Sequence, residues 1–396
     1  MSVWRSLKVG PEELRLDTTL KSGQAFRWKL SAENEWSCAF KGKLITLRQT
    51  ATSIEYKAYF PTQDINNSSS LSVEKQQQRL KMQEIHEIKG VQGIQGIQEI
   101  NEHHDDEEEK IHEFLWDYFQ LNVNLKGYYN KWSSVDGHFA KIANQFQGIR
   151  ILRQDPMENL FCFICSTNNN ITRITQMIEK LCRKYGKKVY TLNDQEYYDF
   201  PVLEKLALPQ VENELKQLGF GYRAKYIAQT TKILMEKYLT NEDDNDGSIN
   251  GSGSGGEQWL HSLRKLDYKE AHEALLQLTG VGPKVADCVC LMSLDKHNAI
   301  PVDTHVWQIA KREYGFNSGN KGSKTLTSRA YEAVGNHFRK LFGDYSGWAH
   351  SVLFTADLKA FENRQQKKIS NISKNGLKTL TAADLVNDNN KRRRRS

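Results

Sequence analysis

The chain has 396 residues, with 55 Lys and Arg against 48 Asp and Glu, which gives a net charge of +7. This length allows two or three domains, and no apolar run approaches the roughly 18 residues of a transmembrane helix. The N-terminus lacks the apolar core of a signal peptide, so secretion is not expected. Six cysteines in so long a chain do not suggest a disulfide scaffold and favour reduced thiols in a cytosolic or nuclear compartment. The basic balance permits a nucleic-acid partner but does not establish one.

Three polar segments account for part of the low mean hydropathy of −0.66. Residues 62–112 carry 11 acidic and 5 basic side chains and no aromatic residue, so we expect a disordered acidic insertion. Residues 241–256 are almost entirely Asp, Asn, Gly and Ser, which is typical of a flexible loop. The basic tail, 362–396, is expected to be disordered. Its final KRRRRS indicates a nuclear address or a phosphate-binding arm, and the alternative is a solvated end.

The predicted secondary structure changes along the chain from strands to helices. Residues 1–61 contain short runs of aromatic and β-branched residues, interrupted by a Lys-Gly-Lys sequence, which predict an antiparallel β-rich part. From residue 113 to 361 the pattern is helical, and Asp155 and Pro156 are expected to begin one helix. Further helices are predicted over residues 201–217, 221–239, 257–278, 283–294, 303–315, 327–342 and 346–361. The predicted fold class is therefore α+β, a small β-rich N-terminal part followed by an all-α part.

Residues 271–294 have the pattern of a helix–hairpin–helix. Apolar residues at helical spacing end at Leu278, Gly280 and Gly282 flank a single valine, and a second helix is expected to begin at Pro283. The backbone N–H groups of such a hairpin and of the following helix N-terminus form an anion site. A DNA phosphate is a common occupant of such a site. The alternative is an ordinary turn between two helices, capped by glycine.

Lys284 is the second residue of that second helix, where a charged ammonium is unfavourable because the helix N-terminus is already positive. A neutral amine is a nucleophile that can form a Schiff base, whereas the alternative is a surface lysine that contacts phosphate. Cys288 follows on the same helix face and is predicted to line the same pocket. A single helix cysteine is nevertheless more often a small core residue, which is the prediction for Cys290.

Asp303 occurs in the sequence Pro-Val-Asp-Thr-His at residues 301–305. It is well placed to be the N-cap of the helix predicted from residue 304 to 315. The same carboxylate could also face a developing positive charge. Both roles are open, because one carboxylate can hold the helix and present its second oxygen elsewhere.

Six motifs in chain order make the sequence, without its insertions, resemble the eukaryotic 8-oxoguanine DNA glycosylases of the helix–hairpin–helix superfamily. The resemblance covers residues 1 to about 361, and six ordered motifs are more specific than any one of them. The motifs are SGQAFRW at 22–28, CSTNNNITRI at 165–174, LGFGYRAKYI at 218–227, LTGVGPKVADC at 278–288, PVDTH at 301–305 and GWAHSVLF at 347–354. The cysteines that hold an iron–sulfur cluster in endonuclease III and the adenine glycosylases are missing after Asp303, which disfavours those sister families.

The resemblance implies a DNA glycosylase that is also a lyase and needs no metal or cofactor. Lys284 would attack C1′ of the damaged nucleoside, and Asp303 would stabilise the developing positive charge. The resulting Schiff base would undergo β-elimination, which nicks the strand. The base must be flipped out of the duplex to be reached, and Phe354 and Cys288 would sandwich it. The Gly23 carbonyl would accept the N7 hydrogen that 8-oxoguanine carries and guanine lacks.

The resemblance also implies contacts to the opposite strand and to the DNA backbone. Asn168, Arg173 and Arg223 would hydrogen-bond the orphaned cytosine, while Tyr222 would prop the base stack open. His305 would contact a phosphate. Without the resemblance, these residues would be interpreted as a helix cap, two solvated helix charges, a packing ring and a helix-capping histidine.

His350 departs from the family pattern, which usually has Gln at this position. Gln offers a donor and an acceptor to the Watson–Crick edge, whereas a neutral His carries one of each on opposite sides of its ring. We therefore expect His350 to match only part of that edge, and either to relax base recognition or to add pH dependence near neutrality. Lesion choice is expected to be retained through Gly23.

The predicted partner is double-stranded DNA with oxidised guanine opposite cytosine, and formamidopyrimidine lesions are expected as further substrates. We expect a monomer without membrane association, located in the nucleus, with a mitochondrial pool left open. Two alternatives are a non-catalytic helix–hairpin–helix DNA-binding protein and an alkylpurine DNA glycosylase of the same fold. The first would not need Lys284, Asp303 and Cys288 together, and the second typically uses the Asp without the hairpin Lys.

Overall fold

The structure is a computed structural model that describes residues 3–60, 109–237, 255–316 and 326–362. Clustering of the chain by its internal contacts gives two compact units. The first unit comprises residues 1–124 and 150–296, and the second comprises residues 125–149 and 297–396. Both the N-terminal sheet and the hairpin with Lys284 therefore belong to the first unit, whereas Asp303 belongs to the second.

The predicted insertions and the tail fall mostly outside the described residues, which do not include 62–108, 241–254 and 363–396. Where the insertions are described, their predicted ends are wrong. Residues 109–118 are helical, because this segment buries Ile111 in the core cluster that covers the sheet. The second insertion likewise ends early, because a helix begins at Gly255.

Seven strands are described: β1 (Arg5–Leu7), β2 (Lys29–Ala32), β3 (Glu35–Phe40), β4 (Lys43–Gln49), β5 (Ile54–Tyr59), β6 (Lys188–Leu192) and β7 (Gln195–Tyr198). The first five form one antiparallel sheet in the spatial order β1-β5-β4-β3-β2. Lys41 and Gly42 have positive φ angles of 45° and 80°, which suits a two-residue hairpin turn. The strand prediction for the N-terminal part is confirmed.

The described helices are α1 (Leu16–Thr19), α2 (residues 109–118), α3 (Leu125–Val135), α4 (Gly137–Ala143), α5 (Pro156–Ile164), α6 (Ile171–Tyr185), α7 (Leu203–Leu206), α8 (Val211–Gln217), α9 (Arg223–Lys237), α10 (Gly255–Ser262), α11 (Tyr268–Leu276), α12 (Pro283–Ser293), α13 (Thr304–Glu313), α14 (Ser328–Phe342) and α15 (Ser346–Asp357). Short 3₁₀ helices cover Leu263–Lys265, Gly343–Tyr345 and Lys359–Phe361. An antiparallel sheet followed by a larger helical part confirms the predicted α+β class.

Two predicted long helices are divided in the structure. The helix expected over 201–217 becomes α7 and α8, since Pro209 lies between them and disfavours a helical conformation of the residue before it. The helix expected over 257–278 becomes α10, a 3₁₀ turn and α11. Asp267 restarts the chain as α11, because its side chain accepts from the Glu270 amide and forms a capping box.

The β6–β7 hairpin lies in a region that the sequence pattern predicted to be all-helical, so that expectation is wrong there. Asn193 and Asp194 both have positive φ, 50° and 60°, as the turn of a two-residue hairpin requires. Val189 and Tyr197 pack against Ala39 and other residues of the sheet. The hairpin is therefore stabilised by the sheet of the same unit.

The second unit has an aromatic core. Trp132 of α3, Phe139 of α4 and Phe342 of α14 lie within 6.5 Å of one another, measured between ring centroids. Trp132 is fully buried, and its indole N–H donates to the Phe342 carbonyl, as a buried tryptophan requires. In the part of the chain that the structure describes, no helix has the length and apolar character needed to cross a membrane.

Candidate functional site

The predicted helix–hairpin–helix is present, formed by α11, the turn at Gly280 and α12. Gly280 has a φ of +80°, and a Cβ at this position would lie 2.6 Å from the Tyr226 ring. Gly282 is the N-cap of α12, and no side chain caps that helix. The first turn of α12 therefore presents backbone N–H groups without a side-chain partner, which is the arrangement that binds anions.

Lys284 is the second residue of α12, as predicted, and its amine reaches the end of α5. The Lys284 Nζ lies 3.1 Å from the Ser166 Oγ, and 4.9 Å from the centroid of the Phe163 ring. Both contacts place the amine beside the segment that begins the asparagine-rich loop. Lys284 is half-buried, so the amine is sheltered but reachable.

The loop that contains Asn168 is hydrogen-bonded to Tyr222 and Arg223 at the start of α9. Tyr222 donates from its hydroxyl to the Thr167 carbonyl at 3.0 Å, and the Arg223 guanidinium donates to the carbonyls of Thr167 and Asn168. Asn168 has a φ of +49°, a left-handed conformation that asparagine tolerates better than most residues. Asn168 and Tyr222 are exposed, whereas Arg223 is buried and its Nε has no partner among the described residues.

Arg173 lies one turn into α6, with its side chain exposed. Its backbone N–H donates to the Asn170 side chain, which is the N-cap of the helix. The cap of this helix is therefore Asn170, and the side chain of Asn168 is not used for capping. That leaves the amide of Asn168 exposed at the tip of the loop.

Gly23 lies in a turn that buried glutamines hold in place. Gly23 has a φ of +80°, and the Gln24 side chain next to it donates to the Arg150 carbonyl and accepts from the Leu152 amide. The Gln154 side chain donates to the Gln24 carbonyl, and the Gln154 backbone N–H donates to the carbonyl of Met292 in α12. The turn is thereby linked to the helix that carries Lys284.

Phe26, three residues after Gly23, packs edge-on against Phe163, with 5.7 Å between the ring centroids. Phe163 is the ring over which the Lys284 amine lies. Cys288 is 2% exposed and Cys290 is fully buried. Burial raises the pKa of the Cys290 thiol well above its usual value, which agrees with its predicted place in the core.

Asp303 is the N-cap of α13, and its Oδ1 accepts from the Val306 N–H at 2.9 Å. The capping role expected from the sequence is confirmed, and the second carboxylate oxygen is not needed for it. His305 is two residues further along, and its ring lies edge-on to Phe354 with 6.1 Å between the centroids. Phe354 in turn stacks on His350 at 6.4 Å.

His350 is buried, and neither of its ring nitrogens has a hydrogen-bond partner among the described residues. Burial lowers the pKa of His350 to about 4, although the Asp303 carboxylate opposes this by favouring the charged ring. The expected pH dependence near neutrality is therefore wrong for the free protein. A ring that titrates near pH 4 is neutral at physiological pH.

The predicted residues thus form two groups, one in each compact unit. The first unit contains the hairpin, Lys284 and the loop whose carbonyls accept from Tyr222 and Arg223, and Cys288 lies one turn after Lys284 on α12. The second unit brings together Asp303, His305, His350 and Phe354. The sequence interpretation did not assign a role to Ser166 or Phe163. The available signal was their position, because Ser166 belongs to the CSTNNNITRI motif and Phe163 lies two residues before it.

Comparisons with known proteins give matches along most of the chain. Residues 6–160 match the N-terminal domain of 8-oxoguanine DNA glycosylase, and residues 161–333 match the HhH-GPD superfamily of base excision DNA repair proteins. The N-glycosylase/DNA lyase OGG1 of Arabidopsis thaliana is 34% identical over 90% of this chain and 81% of its own length. The N-glycosylase/DNA lyase of Saccharomyces cerevisiae is 35% identical over 89% of this chain and 85% of its own length.

Solved structures also resemble this one. The 8-oxoguanine glycosylase/lyase of Clostridium acetobutylicum, in complex with double-stranded DNA that contains cytosine opposite 8-oxoguanine, superposes with a TM-score of 0.63 at 25% identity, covering 92% of this chain and 98% of that one. A 3-methyladenine DNA glycosylase of Archaeoglobus fulgidus has a TM-score of 0.58 at 16% identity, with 90% and 98% covered, which shows a shared fold only.

Proposed function

Because the chain belongs to the 8-oxoguanine DNA glycosylase family of N-glycosylase/DNA lyases, we propose that it removes 8-oxoguanine from double-stranded DNA with Lys284 as the nucleophile. The protein is a base-excision-repair enzyme with glycosylase and lyase activities. The observation that carries the assignment of Lys284 is its place in the first turn of α12, with the amine held beside Ser166 and Phe163. An unanchored surface lysine would not have these contacts.

In the proposed reaction the neutral Lys284 amine attacks C1′ of the damaged nucleotide. The C1′–N9 bond breaks, its electron pair leaves with the base, and the base takes up a proton. The C1′–O4′ bond of the amine adduct then breaks and the nitrogen lone pair forms the C1′=Nζ bond. O4′ takes up a proton and becomes the 4′ hydroxyl of the opened sugar, which leaves a Schiff base between Nζ and C1′. Removal of a 2′ hydrogen as a proton then expels the 3′ phosphate, which is the β-elimination that cuts the strand.

We propose that Asp303 stabilises the positive charge that the sugar acquires as the base departs. A fixed carboxylate stabilises such a charge more than water does, because it needs no reorganisation during the reaction. The cap supports this role, since the bond from Val306 to Oδ1 fixes the carboxylate and leaves Oδ2 available. Asp303 would therefore act through charge, without forming a bond to the substrate.

The proposed base pocket uses Gly23, Cys288, His350 and Phe354. No donor from the described residues reaches the Gly23 carbonyl, so it is available to accept the N7 hydrogen of 8-oxoguanine. Guanine would instead face this carbonyl with a lone pair, and such a mismatch in a buried site discriminates strongly. Burial lowers the pKa of His350 and so favours the neutral ring, whose nitrogens make no hydrogen bond of normal geometry to the described residues. The ring can therefore offer one donor or acceptor to the base edge.

The proposed contacts to the opposite strand use Asn168, Arg173, Tyr222 and Arg223. The exposed amide of Asn168 and the exposed guanidinium of Arg173 lie at the start of α6, and both are suited to the edge of an orphaned cytosine. Tyr222 is 46% exposed at a turn, as a ring inserted between bases must be.

The DNA backbone would be held by the hairpin and by His305. The space beside Gly282 is open, since a Cβ there would meet nothing within 4 Å. A phosphate could therefore approach the backbone N–H groups in the first turn of α12 closely. His305 is 49% exposed at its side chain. We further propose that the protein acts as a monomer and that formamidopyrimidine lesions are also substrates. We propose that the basic tail directs the protein to the nucleus.

Borohydride trapping on a duplex that carries one 8-oxoguanine opposite cytosine tests this function. The intact chain is expected to give a covalent adduct with the lesion strand, and Lys284→Ala should lose the adduct while still binding the duplex. Lys311→Ala is the matched control, because Lys311 lies on α13 over the Trp307 ring and should not affect trapping. If the intact chain binds the duplex but forms no adduct, the lyase mechanism is wrong.

A further inference from the structure

We propose that Ser166 is a positioning residue for Lys284, holding the amine in the place from which it attacks the sugar. The inference rests on the proposed role of Lys284 as nucleophile and adds a residue to that site. Ser166 lies two residues after the end of α5, and it is 118 positions away from Lys284 in the chain. The contact between them is therefore made by the fold of the first unit and not by local sequence.

The hydrogen bonds of Ser166 fix which partner donates. The Ser166 hydroxyl donates to the Phe163 carbonyl, with 2.7 Å between Oγ and the carbonyl oxygen. Its hydrogen is thereby committed, and only its lone pairs remain for Lys284, whose Nζ is 3.1 Å away. An N–H of Lys284 must point at Ser166, so the remaining positions on the nitrogen face away from the serine.

The Phe163 ring is the second group that contacts the amine. The Lys284 Nζ lies 4.9 Å from the centroid of this ring, so the ring limits the positions that the neutral amine can take. In the described part of the chain, Ser166 is the hydrogen-bond partner of Lys284, and no carboxylate lies within ion-pair distance of it.

A lysine needs such an anchor because its four-carbon stem is flexible. A lysine side chain samples many rotamers, and attack requires the nitrogen to be near one particular carbon. A misplacement of about 1 Å can lower a rate on the order of a hundredfold. Ser166 restricts the amine at its tip, which is the part that reacts.

The test compares Ser166→Thr with Ser166→Val in single-turnover assays on the 8-oxoguanine duplex. The two side chains have nearly the same shape and differ in the hydroxyl group. Ser166→Val is expected to slow adduct formation by about tenfold to a hundredfold, with unchanged affinity for the duplex. Ser166→Thr should restore the rate to within about threefold of the intact chain, because it keeps the acceptor.

Ser262→Val is the matched control for the loss of a serine at a helix end. The Ser262 hydroxyl also donates to the carbonyl three residues before it, at 2.7 Å from the Trp259 oxygen, but no lysine is bonded to it in the described residues. This variant should form the adduct at the rate of the intact chain. Any slowing by Ser166→Val beyond that of Ser262→Val is then due to the contact with Lys284.

The outcomes separate this proposal from the function on which it rests. If the intact chain forms an adduct that Lys284→Ala abolishes, and Ser166→Val forms it at the normal rate, the positioning role is wrong and the function stands. If Ser166→Thr and Ser166→Val are slowed equally, shape and not the hydroxyl is responsible, which also overturns the proposal. If the intact chain forms no adduct, both fail together.

Discussion

The pKa of His350 is set more by burial than by its charged neighbour Asp303. The His350 ring is buried in the second unit between Phe338 and Phe354. Removal from water disfavours the imidazolium and outweighs the attraction of the Asp303 carboxylate. A residue with this surrounding is a neutral hydrogen-bonding group at physiological pH and not a pH sensor.

Burial of His350 predicts an acid-sensitive fold. The folded pKa of about 4 lies below the ordinary value of 6.5, so the unfolded chain binds the proton first as the pH falls. The free energy of unfolding should therefore decrease between pH 6.5 and 4, by up to about 1.4 kcal/mol per pH unit from this group. His350→Gln should lack this component in urea unfolding experiments at pH 7, 6 and 5. A constant difference between the two proteins across these pH values would contradict the prediction.

At the scale of elements, the hairpin before α12 depends on two glycines for different reasons. Gly280 needs its left-handed backbone, and Tyr226 of α9 occupies the space that a Cβ would take. Thr230 of the same helix donates to the Thr279 carbonyl at 2.7 Å, which fixes the approach of α9 to the turn. Gly282 has an ordinary φ of −100° and open space around it. Its role is therefore to leave room for a ligand.

Alanine at these two positions should change two different properties, the stability of the fold at Gly280 and the affinity for DNA at Gly282. Gly280→Ala is expected to lower the free energy of unfolding by about 1–3 kcal/mol, because of the strained φ and the contact with Tyr226. Gly282→Ala should change stability by less than about 1 kcal/mol. Its methyl group would obstruct a phosphate, so DNA should bind about three- to tenfold more weakly regardless of sequence. Thermal unfolding and fluorescence-polarisation titrations measure the two effects, and equal DNA affinity for Gly282→Ala and the intact chain would argue against phosphate binding there.

At the scale of the whole molecule, buried Arg150 joins segments that are far apart in the chain. Its side chain is fully buried and pairs with Glu13 near the N-terminus. It also donates to the carbonyls of Phe119, Gln120 and Val123 after α2. A guanidinium satisfies several carbonyls at once because its five N–H groups form a rigid fork. This single side chain thus links the segment around Glu13 to the segment that follows α2.

Arg150→Met is expected to destabilise the protein by about 3–5 kcal/mol, since it removes the buried guanidinium that donates to three carbonyls and pairs with Glu13. Arg183→Met is the control, because Arg183 is 54% exposed at its side chain and pairs with Glu196 at the surface. An exposed pair contributes roughly 0–1 kcal/mol. Urea unfolding of both variants provides the comparison, and similar losses for the two would show that Arg150 is not an anchor.

Much of the site was predictable because its residues occur in local motifs. Helix starts at Asp155, Pro283 and Asp303 follow from capping chemistry that acts over a few residues, and all three are confirmed. The β6–β7 hairpin was missed, since its packing on the sheet depends on contacts about 150 positions away in the chain. The end of the first insertion was misplaced because helix α2 forms by burying Ile111 against the sheet, and not by its own composition.

The sequence by itself determined the α+β class and the family, and it contains the residues proposed as nucleophile and carboxylate beside the glycine hairpin. These depend on the order of short motifs, in which neighbouring residues act through local capping, turn geometry and periodicity. Only the tertiary structure decided that Ser166 and Phe163 hold the amine of Lys284 and that His350 is neutral. Both outcomes depend on burial and on contacts between distant segments, which are set by packing and leave no pattern in the local sequence.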